Sequence, residues 1–210
     1  GGGVLLNQAL HNLDTVYWLF GRPERVRAFC QLGRFHQIEV EDQVTAYLEW
    51  PGGVTGTFIT STGEAPGTNR LEISGSRGRL VLENDRLTFL RNACDLVDYN
   101  RTSKSGFAKP EIWSVEIPFA NAPAQHATLM QNFVEAIREG KPLLAPGADG
   151  VGSVELANAM LYSSLTGGTV EFPLDGAAYE ARLHRLISES TLQKKVVEGG
   201  TDDFAKSFRR

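Results

Sequence analysis

Thiols are scarce in this chain: Cys30 and Cys94 are the only two among 210 residues, and neither stands in a CxxC or a Cys/His metal spacing. That excludes a disulfide framework and a zinc module as organising principles, and it fits a cytosolic protein. No apolar run approaches the roughly 20 residues that a membrane span needs. Positive charge is neither abundant nor clustered. Lys and Arg number 21 against 25 Asp and Glu, for a net charge of -4, and the densest basic points are Lys194-Lys195 and the end Arg209-Arg210. Such a surface has no electrostatic footprint for nucleic acid or an anionic membrane. Also missing are a GxGxxG between strand and helix, a P-loop, a GxSxG and any metal motif. The stretch Gly75-Ser76-Arg77-Gly78-Arg79 lies between two strand-like runs, so it reads as a turn and not as a phosphate cradle. The first residues, Gly1-Gly2-Gly3-Val4-Leu5-Leu6, carry neither an initiator Met nor the basic segment of a signal peptide. The chain therefore reads as a processed product or an excised piece.

What is present is a globular mixture, 41% hydrophobic and 22% charged, that excludes disorder. Residues 5–20 repeat apolar positions at helical spacing, with Leu6, Leu10 and Leu13 as the core stripe. Gly21 and Pro23 end that helix. Strand-like runs follow at 26–32, 43–50, 54–60, 70–74, 78–83 and 86–91, separated by short turn signals such as Asn84-Asp85. Links this short favour antiparallel neighbours. Residues 95–111 are polar and without period, so they read as a surface loop. A short strand at 114–118 precedes helices over 126–137 and beyond Asp149, which is placed to cap the second of them. A late strand at 169–172 and a helix at 177–188 complete the order. Strands in a block rather than alternating with helices predict an α+β fold, one open, largely antiparallel sheet with helices on one face, spanning residues 1–210 as a single domain. Several strands carry apolar residues at both parities, among them Val44, Ala46, Tyr47 and Leu48, which predicts burial of both sheet faces.

The first helix carries the candidate chemistry. At helical spacing Asn7, His11, Asp14 and Trp18 form a second stripe beside the core stripe. A carboxamide and an imidazole on one face can hold a hydroxylated substrate, and the imidazole can take or give a proton near neutral pH. A plain exposed polar face with an Asp–His surface pair accounts for the same residues. Three preceding glycines let backbone approach another molecule closely. The loop 61–70 is rich in turn formers, and its Glu64, Asn69 and Arg70 are candidates to reach sugar hydroxyls or a carboxylate, or are simply inter-strand residues. His36, beside Glu39, Glu41 and Asp42, reads as part of a solvated loop. His126 reads as a packing residue and His184 as surface.

The segment Gly1-Gly2-Gly3-Val4-Leu5-Leu6-Asn7-Gln8-Ala9-Leu10-His11-Asn12-Leu13-Asp14 resembles the entry helix of the Gfo/Idh/MocA oxidoreductases. In that family glycines and Val/Leu precede a carboxylate, a His four later and an Asp three after that. The likeness continues in order through Arg70-Leu71-Glu72-Ile73-Ser74-Gly75-Ser76-Arg77-Gly78-Arg79-Leu80, then Asn132-Phe133-Val134-Glu135-Ala136-Ile137-Arg138-Glu139-Gly140-Lys141-Pro142, then Val170-Glu171-Phe172-Pro173-Leu174. It implies the C-terminal, substrate-binding and oligomerising domain of an NAD(P)-dependent dehydrogenase of sugars, polyols or related compounds. NAD or NADP would be held by an N-terminal Rossmann domain that is not in this chain, so the chain alone is expected to bind no dinucleotide and to be inactive. The resemblance puts His11 at the catalytic or substrate-orienting position. It puts Asn7 where many members carry Asp. A neutral amide cannot act as a base, so proton transfer would fall to His11 or to a Lys of the missing domain. Asp14 either orients His11 or only sits on the helix surface. The implied partners are a small sugar-like substrate, the Rossmann domain and further copies of the chain, as a homodimer or homotetramer paired through the sheet. Two other readings stand beside this one. The first is an NAD-dependent glycosidase of the same superfamily, and the second is a non-catalytic binding or scaffold domain.

Overall fold

Helix begins at Val4 but does not run unbroken to Phe20. The sequence pattern predicts one helix over 5–20; the computed structural model, which describes residues 2–119 and 125–193, has two. Gly1, Lys194-Lys195 and Arg209-Arg210 lie outside the described residues. α1 covers Val4–Asn7 and α2 covers Leu10–Phe20. At the break the Ala9 amide donates to the carbonyl of Val4 at 2.9 Å, one residue further back than an α-helical bond reaches. The extra residue rotates the buried stripe. Val4, Leu5, Ala9 and Leu13 are the buried positions, while Leu6, expected in the core, is exposed.

The described residues group into two compact units, one made of 2–63 and 146–193, the other of 64–119 and 125–145. In the first unit β1 (Arg25–Leu32), β2 (Glu41–Glu49), β3 (Thr55–Ser61) and the two-residue β8 (Val170–Glu171) form an antiparallel sheet in the order β3-β2-β1-β8. The alternation in β2 is read out directly. Val44, Ala46 and Leu48 are buried, whereas Thr45 and Tyr47 face away from the core. α1 packs on β2, and α5 (Gly150–Thr166) packs on β1 and α2 through Leu156, Ala157 and Met160. α5 comes so close to α2 that a Cβ on Gly152 would overlap the Tyr17 ring. Asp149 precedes α5, but its side chain makes no capping bond there. α6 (Gly176–Glu189) is capped in the ordinary way, by Asp175 accepting from the Ala178 amide at 3.0 Å.

β8 is too short to cover the edge of β1, and the amides beyond Val26 need other acceptors. Two α5 serines supply them. The Ala28 amide donates to Ser163 Oγ at 3.0 Å and the Cys30 amide to Ser164 Oγ at 2.8 Å.

The second unit is a four-stranded meander of β4 (Arg70–Gly75), β5 (Gly78–Glu83), β6 (Arg86–Asn92) and β7 (Ile112–Ile117). Asn84 and Asp85, at φ 51° and 56°, form the tight turn that the sequence signals. Register puts Leu71, Leu82, Leu87 and Ile117 in one row and Ile73, Leu80, Phe89 and Val115 in the next, all on one face. The other face is charged, and its ion pairs include Arg79–Glu72 and Arg86–Glu116. The polar stretch expected to be a loop contains a short helix, α3 (Leu96–Thr102), which Asp95 caps by accepting from the Val97 amide. α4 (Gln125–Glu139) has the predicted apolar stripe, yet Met130 and Ile137 on it are 65% and 70% exposed. The class is α+β with open antiparallel sheets, as the strand block predicts. The strands divide into two sheets of four where one sheet was expected.

Candidate functional site

On α2, His11, Asp14 and Trp18 share one side, and Leu13, Val16 and Tyr17 turn the opposite way towards the core. This separation follows from the periodicity alone. The outer row is open to solvent, with Trp18 at 81% exposure. Asn7 is also exposed but ends α1, on the other side of the break. Its place relative to His11 is therefore set by the Gln8–Ala9 kink and not by a shared helix turn. Among the described residues Asp14 makes no hydrogen bond to His11, whose backbone carbonyl accepts the Thr15 hydroxyl at 3.0 Å. The exposed row thus presents an imidazole, a carboxylate and an indole, with a carboxamide beyond the kink. Such groups can hydrogen-bond hydroxyls and accept a proton from one.

The other three candidates lie in the second unit. Glu64 and Asn69 are exposed in the loop before β4. Arg70, expected to be available to a substrate carboxylate, is engaged by its own sheet. Its guanidinium pairs with Glu72 at 2.6 Å and with Glu83 at 2.7 Å, and these carboxylates hold it above the ordinary arginine range.

Two residues that the sequence reading assigned to a solvated loop are among the most buried polar groups of the chain. Glu41 and Asp42 are 2% and 1% exposed. Neighbours on a strand normally point to opposite faces, but Gln31 faces Gln43 while Leu32 faces Glu41, so Asp42 is the extra residue of a β-bulge. The bulge turns both carboxyl groups inward. Asp42 accepts the backbone amides of Arg34 at 3.1 Å, Phe35 at 2.7 Å and His36 at 3.1 Å, with the His36 ring at 3.3 Å. Burial alone would raise its pKa, but these donors together hold it below the ordinary Asp range. Glu41 accepts the Leu5 amide at 3.2 Å at the start of α1. Burial leads in raising its pKa, and the neighbouring Asp42 charge adds to the rise. Gly3 lies against Glu41 so closely that a Cβ would overlap the Glu41 carboxyl and backbone carbonyl. That glycine, expected to admit another molecule, is required by the strand beneath it.

Cys30 is no nucleophile: burial pushes its thiol up to about 12. Among the described residues no group of three His, Cys, Asp or Glu could hold a metal ion. No helix there is long and apolar enough to cross a membrane. Gly75 and Gly78 pair across the β4–β5 turn, so that glycine stretch is not a dinucleotide cradle. An open cleft of about 740 Å³ in the first unit is lined by Arg22, Glu155, Asn158, Leu174 and Tyr179, among others, but by none of Asn7, His11, Asp14 or Trp18.

Residues 1–81 match the family description "GFO/IDH/MocA C-terminal domain". Over 83 residues the chain is 38% identical to trans-1,2-dihydrobenzene-1,2-diol dehydrogenase of Bos taurus, a match covering 39% of this chain and 24% of that protein. Against the Homo sapiens protein of the same name the identity is 33% over 85 residues, 40% of this chain and 24% of the relative. The chain thus matches about a quarter of the length of these relatives. Among solved structures, the WlbA dehydrogenase of Bordetella pertussis in complex with NADH and UDP-GlcNAcA aligns with a TM-score of 0.55 and 25% identity, covering 83% of this chain and 46% of that one. The aldose–aldose oxidoreductase of Caulobacter crescentus complexed with glycerol aligns with a TM-score of 0.61 and 20% identity, covering 81% and 48%, a likeness of fold. The stretch that matches this family description carries α1 with Asn7, α2 with His11, and strands β1 to β3.

Proposed function

We propose that this chain is the substrate-facing and subunit-pairing part of an NAD(P)-dependent oxidoreductase acting on CH–OH groups of a sugar, polyol or related diol. The observation that carries the reading is the exposed row of His11, Asp14 and Trp18 beside Asn7, set on a well-buried scaffold within the segment that matches the family. Sugars, polyols and the dihydrodiol named for the relatives share a secondary alcohol next to a second hydroxyl. His11 takes the proton of the reacting hydroxyl or orients that hydroxyl. Asn7 hydrogen-bonds the neighbouring one through its amide. Trp18 offers a flat apolar surface to a ring face. Glu64 and Asn69, exposed in the loop before β4, are separate candidates for contact with a hydroxyl.

Cofactor binding is assigned to a Rossmann domain of the whole protein, with NAD and NADP both open; the lack of a GxGxxG between strand and helix in this sequence supports that assignment. The cofactor carries the hydride, and the protein supplies orientation and proton transfer. Unpaired thiols at Cys30 and Cys94 support a reducing, cytoplasmic setting. Pairing of copies through the first sheet is supported by the uncovered Phe29 and Ile59, both 62% exposed.

The test is an assay of the whole protein with NAD+ and NADP+ against a panel of sugars, inositols and trans-dihydrodiols, followed by formation of the reduced nicotinamide. Turnover of at least one vicinal diol is expected. Net hydrolysis of a glycoside without net cofactor reduction would replace this reading by the glycosidase one.

A further inference from the structure

Isolated helices of four residues do not hold themselves, because nucleation fixes several residues for a single hydrogen bond. α1 must therefore be placed from outside, and only a few contacts do so. Val4 and Leu5 are buried in the core. Glu41, fully buried at the bulge of β2, accepts the Leu5 amide at 3.2 Å. Its carboxyl and backbone carbonyl also press on Gly3, leaving no room for a Cβ there. From that contact the placement passes along the backbone. The Gly3 carbonyl accepts the Asn7 amide at 3.0 Å, and the Val4 carbonyl accepts the amides of Gln8 at 3.1 Å and Ala9 at 2.9 Å. The Ala9 carbonyl in turn accepts Asn12 and Leu13, both at 3.0 Å, and so starts the helix that bears His11.

We propose that Glu41 is a positioning residue for the candidate substrate face: by holding the Leu5 amide and seating Gly3, it sets where Asn7 and, through the Ala9 node, His11 stand. The catalytic consequence rests on the function proposed above, whereas the positioning itself does not. Glu41 has no exposure through which to meet a substrate, so it acts only through α1. Orientation is a large lever in such a site, since a misplacement of about 1 Å can cost on the order of 100-fold in rate. The need is for an acceptor of the right length and not for a charge. That the interior favours the neutral form of Glu41 agrees with this.

Three variants separate the alternatives. Glu41→Ala removes the acceptor, Glu41→Asp keeps the carboxyl but shortens the reach, and Glu41→Gln keeps an oxygen at the same length. Backbone amide and imidazole resonances of the 210-residue chain read the positioning, and kcat and KM of the whole protein read its consequence. In Glu41→Ala the signals of Leu5, Asn7 and His11 are expected to move while those of Leu156–Met160 in the core stay. Turnover should fall about 10- to 100-fold, mostly in kcat. Glu41→Asp should show the same changes more weakly. Glu41→Gln should restore Asn7 and His11 to their wild-type signals and kcat/KM to within about threefold. If Glu41→Ala does not fold, the Asp and Gln pair carries the test. Asn7 and His11 signals unmoved in a folded Ala or Asp variant, with wild-type kcat and KM, would overturn the proposal. Moved signals in a protein that reduces neither NAD+ nor NADP+ on any substrate would uphold the positioning and reject the oxidoreductase reading.

Discussion

The Asp42 carboxylate accepts the Phe35 amide at 2.7 Å, while the residue beside it in the chain, Glu41, accepts the Leu5 amide on a different element. Two adjacent carboxyls thus have opposite responses to pH. Asp42 is held below the ordinary Asp value, so its contribution is present above that value, about 3.9, and is lost as pH falls through the lower folded one. The Phe35 and His36 amides should exchange with solvent faster in that acid range. Glu41 is raised, so its contribution is present below the ordinary Glu value, about 4.3, and is lost as pH rises through the folded one. Glu41→Gln should therefore melt above wild type at neutral pH, and the gap should close near pH 4. Melting curves across that range check both signs; a gap that widens in acid would show the second to be wrong.

Ser163, fully buried, accepts the Ala28 amide at the uncovered edge of β1. Ser163→Ala takes away that amide's acceptor, whereas the Gly168 carbonyl, which also loses the serine hydroxyl, keeps Arg27 as a donor. The expected loss is about 1–3 kcal/mol. Denaturant unfolding measures it, and an unchanged midpoint would mean that another acceptor moves in.

His11→Ala removes an exposed side chain, so stability should stay within about 0.5 kcal/mol of wild type. In the whole protein turnover should fall on the order of 10²–10⁴. Asn7→Ala should cost less, because an amide only positions. Asn7→Asp should keep activity and move its pH profile. Steady-state kinetics beside melting curves decide the matter. Near-wild-type turnover in His11→Ala would remove this helix from the active site.

Phe29 and Ile59 both face Thr45 across β2 and stand in one row on the open side of the first sheet. Wild-type chain should scatter light as a dimer or tetramer at micromolar concentration. Phe29→Glu combined with Ile59→Lys should give a monomer with unchanged secondary structure. A monomeric wild type would show that this face is not where copies meet.

The strands were legible because alternation at β2 and the Asn84-Asp85 turn are local signals. The exposed side of α2 was legible for the same reason. The kink at Gln8–Ala9 was not, since no Gly or Pro marks it. It arises because Val4, Leu5, Ala9 and Leu13 are all buried, a choice made by the surrounding core. α3 escaped notice because its composition is polar, although Asp95 ahead of it was a readable cap. Glu41 and Asp42 were hidden by the bulge, which has no signature of its own; two adjacent acids at the head of an alternating apolar strand were the available hint. The ion pairs of Arg70 were not legible because its partners Glu72 and Glu83 are brought to it by strand register.

The seat of Gly3 on Glu41 also constrains how this protein can change over generations. A side chain at position 3 collides with the backbone carbonyl of Glu41 as well as with its carboxyl. Shortening residue 41 first would therefore not open a route to alanine at 3, because the carbonyl belongs to the strand whatever residue stands there. The two positions are tied in space but not in mutational freedom. In a saturation library, position 3 should accept glycine alone, while position 41 should tolerate the few residues that reach Leu5 with an oxygen.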